Sequence, residues 1–357
     1  MLTALVGISA PSGAEDDVRG WLRDRLERLG LACVVDGAGN LIATVPGVGF
    51  GGPPLLLNAH MDRVPPGRGH TPVVQGGVMR SDGTTNLGAD DAAGLTIVLL
   101  VVEWLLANDM PHPPLVLLFT TGEEVGLRGA AAFDPAPWGV REGLVFDNAG
   151  AAGALVTRGA SYIAFDAVLR GHGGHPGKDL AGTLSAIEIF RRVELLLGSR
   201  DGDTARVSLG QISGGTARNA IPAEVRVAGE VRTLLEGAAQ RRLLRDVAAR
   251  FTQAATALGG TAEVTFEPHG AGYTVGADEP LPLAWRAAWE ARGTPAAPIT
   301  TFIGSDANAL RRTLAVVTVS TGVVDEHTSA EAIALAPLAT MIAATADLLL
   351  RYRPPGG

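Results

Sequence analysis

The sequence predicts an α/β protein whose main domain is interrupted by a smaller α+β insertion. Three observations carry this. Apolar runs of strand length alternate with helical periodicity up to residue 158, and three of these stretches abut short polar clusters. From Gly159 onward the pattern changes to alternating strands and two amphipathic helices. After His269 the first pattern returns. The expected organisation is therefore a main domain of segments 1–158 and 269–357, with an insertion at 159–268 of about 110 residues, a common domain size.

The 357 residues, 46% of them hydrophobic, supply core material for two domains. A formal net charge of −8 leaves no basic stripe to neutralise phosphates, so neither nucleic acid nor an anionic membrane is an expected partner. Cys33 is the only cysteine, which excludes an intrachain disulfide and a thiolate zinc site and leaves His, Asp and Glu as metal ligands. Met1 to Ala14 has no basic stretch leading into an apolar run, so no signal peptide is expected, and the expected compartment is the cytoplasm.

Asp16 to Leu29 places Val18, Trp21, Leu22, Leu26 and Leu29 at helical spacing, and Gly30 stops the helix. Leu31 to Val35 and Leu41 to Val45, separated by Asp36-Gly37-Ala38-Gly39-Asn40, predict a hairpin. Leu55 to Leu57 is a buried strand running into Asn58-Ala59-His60-Met61-Asp62, and Thr71 to Arg80 holds a short strand pair. Gly94 to Ala107 is an apolar helix with Asp90-Asp91 at its start, where the helix dipole favours carboxylates. Leu95 to Leu106, the longest apolar run, is roughly half a bilayer span and contains Glu103, so it is a buried helix.

Leu115 to Phe119 is a continuous apolar strand, as in a sheet covered on both faces, and it leads into Thr120-Thr121-Gly122-Glu123-Glu124. Leu144 to Phe146 is a further strand ending at Asp147. In the insertion, strands are expected at Tyr162 to Leu169, Arg206 to Ile212, Glu224 to Arg232 and Ala262 to Phe266, with helices at Leu184 to Leu197 and Gln240 to Leu258. The final segment predicts a helix at Leu281 to Arg292, a turn at Gly304-Ser305-Asp306, a strand at Ala315 to Ser320 and a helix at Leu335 to Arg351.

Carboxylates and histidines beside buried strands cost free energy unless their charge is compensated, and a cation does this best. Two divalent cations about 3.5 Å apart need a bridging carboxylate and further His, Asp or Glu ligands. His60, Asp90, Glu124, Asp147 and His327 form such a set at strand ends. Two residues along an extended strand end, Asp62 points the same way as His60 and can orient its imidazole. Of the adjacent pair Glu123 and Glu124, one can bind an ion while the other takes a proton. Each pattern has a plainer reading when taken alone: His-x-Asp is common, and paired glutamates also cap surface loops.

Taken in series, six stretches are more specific. Leu57-Asn58-Ala59-His60-Met61-Asp62, Gly88-Ala89-Asp90-Asp91-Ala92-Ala93-Gly94, Gly122-Glu123-Glu124-Val125-Gly126, Gly171-His172-Gly173-Gly174-His175-Pro176-Gly177, Gly214-Gly215-Thr216-Ala217-Arg218-Asn219-Ala220-Ile221-Pro222 and Glu326-His327-Thr328 together resemble the peptidase T branch of the dinuclear zinc exopeptidases. That wider family includes aminoacylase, carboxypeptidase G and succinyl-diaminopimelate desuccinylase. The resemblance implies a three-layer α/β zinc-exopeptidase catalytic domain with an inserted α+β lid and dimerisation domain.

By position, it makes His60 and Asp147 ligands of one metal, Glu124 and His327 ligands of the other, and Asp90 the bridge. It further implies that Asp62 orients His60, that Glu123 is the general base, that His175 reaches a neighbouring subunit's site, that Asn219 and Arg232 hold substrate, and that the Gly304-Ser305-Asp306 turn faces it. Two positions depart from the family pattern: Ala92 stands where Lys is frequent, and Asn148-Ala149-Gly150 follows Asp147 in place of a Gly pair, with Asp134 and Glu142 as alternative carboxylates.

The implied activity is metal-dependent amide hydrolysis of short peptides, with two divalent ions, zinc first and cobalt or manganese as alternatives, in a homodimer joined through the lid. N-acyl amino acids are the alternative substrates, as for a deacylase or desuccinylase. A non-catalytic metal-binding or regulatory homologue is the alternative of another class, but it would lack a ligand or Glu123. A related aminopeptidase family shares a stretch like Glu123 to Gly129 but carries a β-barrel insertion, against the helices read here. His70 and His112 lie in Gly/Pro-rich loops and are expected in solvent, His269 is expected to pack or hinge, and His172 to support His175.

Overall fold

The computed structural model describes residues 1–355 except 179, 196, 201 and 277. It divides into two compact units, Met1–Arg158 with Tyr273–Gly357, and Gly159–Gly272.

The first unit opens with α1 (Leu2–Val6) and α2 (Asp16–Arg28). α2 buries Val18, Leu22 and Leu26 at four-residue spacing, with Asp16 and Asp17 in its first turn and Arg25 and Arg28 in its last, the arrangement the helix dipole favours. β1 (Cys33–Val35) and β2 (Leu41–Val45) pair as an antiparallel hairpin, its turn held by Asp36 Oδ1, which accepts from the Ala38 and Asn40 N–H groups at 2.9 Å each. Next come β3 (Leu55–His60), β4 (Pro72–Gln75), β5 (Val78–Ser81), α3 (Ala89–Ala107), β6 (Leu115–Thr120), α4 (Arg128–Ala132), β7 (Glu142–Val145) and β8 (Leu155–Gly159).

The second unit holds β9 (Ser161–Arg170), α5 (Ala186–Arg191), β10 (Gly198–Arg200), β11 (Ala205–Gly214), β12 (Glu224–Thr233), α6 (Gly237–Leu258) and β13 (Thr261–Gly270). The chain then returns through β14 (Tyr273–Thr274), α7 (Pro280–Glu290), β15 (Pro298–Thr301), α8 (Ala307–Leu310), β16 (Ala315–Val319), β17 (Val323–Val324), β18 (Ala332–Ala334) and α9 (Leu335–Arg351).

In the first unit the main sheet runs β1-β2-β6-β3-β7-β16-β8-β14, with β15 on β8. Its centre, β6, β3, β7 and β16, is parallel, and every residue of β3 and β6 is buried. Unbroken apolar runs are what such doubly covered strands require. α3 is buried around most of its circumference and packs on α9 and β3. It comes close because Gly94 lacks a side chain: a Cβ there would sit 2.4 Å from the Phe146 carbonyl oxygen and 2.5 Å from Asp91 Oδ2. A smaller sheet, β17-β18-β5-β4, completes this unit.

The second unit is an antiparallel sheet in the order β10-β11-β12-β9-β13, against which α5 and α6 pack around Phe165, Phe251 and Val247. The helix expected at Leu184 to Leu197 is shorter, spanning Ala186–Arg191. Val193 and Leu195 continue the apolar pattern by packing on the same core without helix, so periodicity overstated its length. Among the described residues, no helix is long and apolar enough to cross a membrane.

Candidate active site

The parallel strands β3, β6 and β7 deliver their C-terminal ends to one edge of the sheet, the position where open α/β sheets place ligands. His60 is the last residue of β3 and is buried. Its Nδ1 lies 3.0 Å from the Asp62 carbonyl oxygen and 3.5 Å from Asp62 Oδ1, which leaves Nε2 facing Asp90 Oδ1 at 3.4 Å. Asp90 Oδ2 lies 3.2 Å from His327 Nε2, and Glu124 Oε1 lies 3.0 Å from that same nitrogen. Asp90 thus turns one carboxylate oxygen to each histidine.

Asp147 follows the end of β7, and one donor atom each from His60, Asp90 and Asp147 lie within 4.8 Å of one another. The same holds for His60, Glu123 and Glu124, and for Asp90, Glu124 and His327. The alternative carboxylates lie elsewhere: Glu142 begins β7 and accepts from the Tyr352 hydroxyl at 2.9 and 3.0 Å, and Asp134 accepts from the Ala136 N–H.

Asp62 has a larger part than sequence spacing suggested. Its Oδ1 accepts from the Glu123 N–H at 2.9 Å, and its Oδ2 from the Glu124 N–H at 3.2 Å and the Ser12 hydroxyl at 2.7 Å. Glu15 adds a bond from the Gly122 N–H at 3.2 Å, so the N-terminal segment clamps the loop after β6. Asp91, buried beneath Asp90, accepts from the His60 N–H at 3.2 Å and the Gly94 N–H at 3.0 Å. Asp306, expected in a substrate-facing turn, is 1% exposed and accepts from Asn58 Nδ2 at 3.2 Å and from the Thr120 hydroxyl.

The charge balance explains the geometry. Burial and repulsion from Asp147 push the Glu123 carboxyl well up, and burial does the same to Asp147 despite the attraction of His60. Burial works against charge on His60, yet its bonds to Asp62 and Asp90 outweigh this and raise its pKa well above the ordinary value. Hydrogen bonds to Asp90 and Glu124 push His327 up to about 10. Asp90, though desolvated, is held well below the usual carboxylate range by the two histidines.

The cluster therefore holds protons against a surplus of carboxylates, the positions that cations of higher charge can take over. Asp147 Oδ2, buried and without a hydrogen-bond partner, fits the same demand. Imidazole nitrogen and carboxylate oxygen are donors suited to zinc, cobalt and manganese.

Ser12, Glu15, Asp91 and Glu331 escaped the sequence reading. Asp91 could have been found from its adjacency to Asp90, whereas nothing in the residues around Glu331 pointed to its distant partners. Ser12 offered no signal. His70 and His112, expected in solvent, are buried: their Nδ1 atoms meet the Asn86 carbonyl at 2.7 Å and the Pro113 carbonyl at 2.8 Å. Their loops fold back on the protein, as where the His112 and Val48 backbones exchange two hydrogen bonds.

In the second unit, His175 is exposed and its Nδ1 accepts from the Gly177 N–H at 3.0 Å. Its loop meets the Asn219 turn through the Ile221 N–H, which donates to the Gly174 carbonyl at 2.8 Å. Arg232 is not with them. It lies near the far end of β12, eight residues beyond Glu224 or about 26 Å at strand rise, bound to Glu230 at 2.8 Å with its guanidinium over the Tyr162 ring. His269 stacks on the same ring, centroids 5.2 Å apart, and the His172 backbone bridges Leu184.

Comparison with known proteins agrees with this picture. The sequence pattern of peptidase family M20/M25/M40 matches residues 56–351. The Bacillus subtilis (strain 168) protein YqjE is 34% identical over 277 residues, 77% of this chain and 74% of that protein. Among solved structures, a tripeptidase from Staphylococcus aureus superposes with a TM-score of 0.91 at 27% identity, and the aminopeptidase PepT from Bacillus cereus with 0.86 at 28%; each comparison covers 98% of this chain and 96% of the other. The chain belongs to peptidase family M20/M25/M40 and is a peptidase T-like metallopeptidase.

Proposed function

We propose that the protein is an exopeptidase that cleaves short peptides at a site holding two divalent metal ions, with zinc as the first choice and cobalt or manganese as alternatives. The observation that carries this is Asp90, whose two oxygens face His60 and His327 separately, as a carboxylate shared between two cations would. His60 and Asp147 would hold one ion and Glu124 and His327 the other, and the pair would supply an activated water and a polarised amide carbonyl.

The chain's own groups do the rest. Glu123 takes a proton from the attacking water on its carboxylate and returns it to the leaving amine nitrogen, and its burial and proximity to Asp147 suit it to hold that proton. Asp62 fixes the backbone that carries both glutamates and accepts near His60 Nδ1, so that Nε2 faces the metal position.

His175 and Asn219 would donate to the substrate carbonyl, and Arg232 would pair with a substrate carboxylate. They occupy opposite ends of the insertion's sheet, which supports their reaching one substrate from two copies of the unit. A homodimer joined through the insertions accommodates them: each substrate meets His175 and Asn219 from one copy and Arg232 from the other. The single cysteine accords with the proposed cytoplasmic location.

Chelator-stripped protein reloaded with zinc, cobalt or manganese should hydrolyse di- and tripeptides with free N-termini faster than N-acyl amino acids. A preference for N-acyl substrates would replace the peptidase reading with a deacylase one, and no hydrolysis with any of the metals would end it.

A further inference from the structure

Asp90 can face two histidines only if the backbone carrying it is fixed. α3 does not do this by itself, because Gly88 is left-handed at φ 73° and Asp90 and Asp91 depart from helical φ/ψ, leaving N–H groups at this turn without helical partners. Glu331 supplies the partners. Its Oε2 accepts from the Gly88 N–H at 2.9 Å and its Oε1 from the Asp90 N–H at 3.0 Å, with the residue fully buried. The countercharge is also inside. Arg63, 1% exposed, donates to the Leu5, Val6 and Ile8 carbonyls, and its Cδ would lie 2.8 Å from a Cβ on Gly88, so it stands against the same turn.

Glu331 also sits four residues after His327 in the chain. The intervening turn is closed by Thr328, whose hydroxyl donates to the Asp325 carbonyl at 2.7 Å and accepts from the Ala330 N–H at 3.1 Å, and whose carbonyl accepts from the Glu331 N–H at 3.2 Å. On the other side, the Glu331 carbonyl accepts from the Ser81 N–H, and the next residue opens β18, paired with β5. One residue therefore fixes the His327 turn with its backbone and the Asp90 turn with its side chain.

We propose that Glu331 is a positioning residue that locks Asp90 and His327 into one rigid unit and so sets the spacing of the two metal positions. It touches neither substrate nor reacting atoms. A carboxylate suits the task because its two acceptors match two N–H donors of one turn, whereas a glutamine would set an NH2 group against one of them. This role rests on the metal site proposed above.

The test is Glu331→Gln in the full chain, read by metal affinity in competition with a chromophoric chelator and by the visible absorption of the cobalt-loaded protein. Affinity should fall about 10- to 100-fold, the usual effect of removing a group that supports a metal ligand, and the cobalt bands should shift. Glu142→Gln, at the other end of β7, serves as the control: it removes a comparably buried carboxylate and should lower thermal stability while leaving affinity and bands unchanged. Wild-type affinity and bands in Glu331→Gln overturn the role of Glu331 alone, whereas failure of the wild-type protein to bind metal overturns the site itself. Should Glu331→Gln yield no folded protein, Glu331→Asp, which keeps both acceptors on a shorter arm, takes its place, and unchanged affinity in that variant overturns the proposal.

Discussion

The strand-end cluster of the first unit and the loops around His175 and Asn219 in the second meet very different standards of order. In the cluster, two carboxylates are held from several sides: Asp62 by Ser12 and two backbone N–H groups, Asp90 by Glu331 below and two histidines above. In the loops, His175 and Asn219 are exposed, and among the described residues the His175 ring is tied only to the backbone two residues on. Metal ligands must be placed before the metal arrives, because repelling carboxylates are stable together only in a rigid frame. Groups that grip substrate can wait for the substrate or a second copy to order them.

The largest effect should come from the ordered side. Glu123→Gln should lower kcat by about 10²- to 10⁴-fold while metal content, measured by atomic emission, stays at the wild-type level. Full turnover in that variant would move the base elsewhere. On the looser side, His175→Ala should cost about 10²-fold in kcat/KM, as removal of a donor to the developing oxyanion does, with metal content and Tm unchanged. Loss of both metals in it would break the contrast by making His175 a ligand. Mixing the two inactive variants sharpens the comparison further. If His175 acts on the partner's substrate, half of the reassorted dimers carry one intact site, and about a quarter of wild-type activity should return. No recovery would leave His175 serving its own subunit.

The same contrast accounts for what the sequence disclosed. β3 and β6 were legible because a doubly buried strand demands an unbroken apolar run, and His60, Glu123 and Glu124 were legible because they follow those runs directly. α9 was read to its observed ends from periodicity alone. Glu331 was not, because its partners Gly88 and Asp90 lie more than 240 residues away and no local pattern encodes such a bond. His112 failed for a related reason: Gly/Pro-rich flanks indicate a loop, but only the tertiary fold decides that this loop pairs with Val48 and is sealed from water. Periodicity misled at α5, where apolar side chains reach the core from non-helical backbone.

Two milder substitutions separate support of the cluster from support of the fold. Ser12→Ala removes the hydroxyl donor to Asp62, and the loss of a hydrogen bond to a carboxylate, about 1.5 kcal/mol net, should appear as roughly tenfold weaker metal binding at unchanged Tm of the metal-free protein. Tyr352→Phe should do the reverse. The Tyr352 hydroxyl donates to Glu142 at the start of β7, the end of the strand opposite Asp147, and burial has already pushed the Glu142 carboxyl up. Without the donor, the folded protein should lose about 1 to 3 kcal/mol in denaturant unfolding because a buried acceptor is left unpaired, while kcat, KM and metal affinity hold. A shift in metal affinity here would mean that β7 transmits strain along its length, and that the rigidity credited to the bonds around Asp62 and Asp90 belongs to the sheet as a whole.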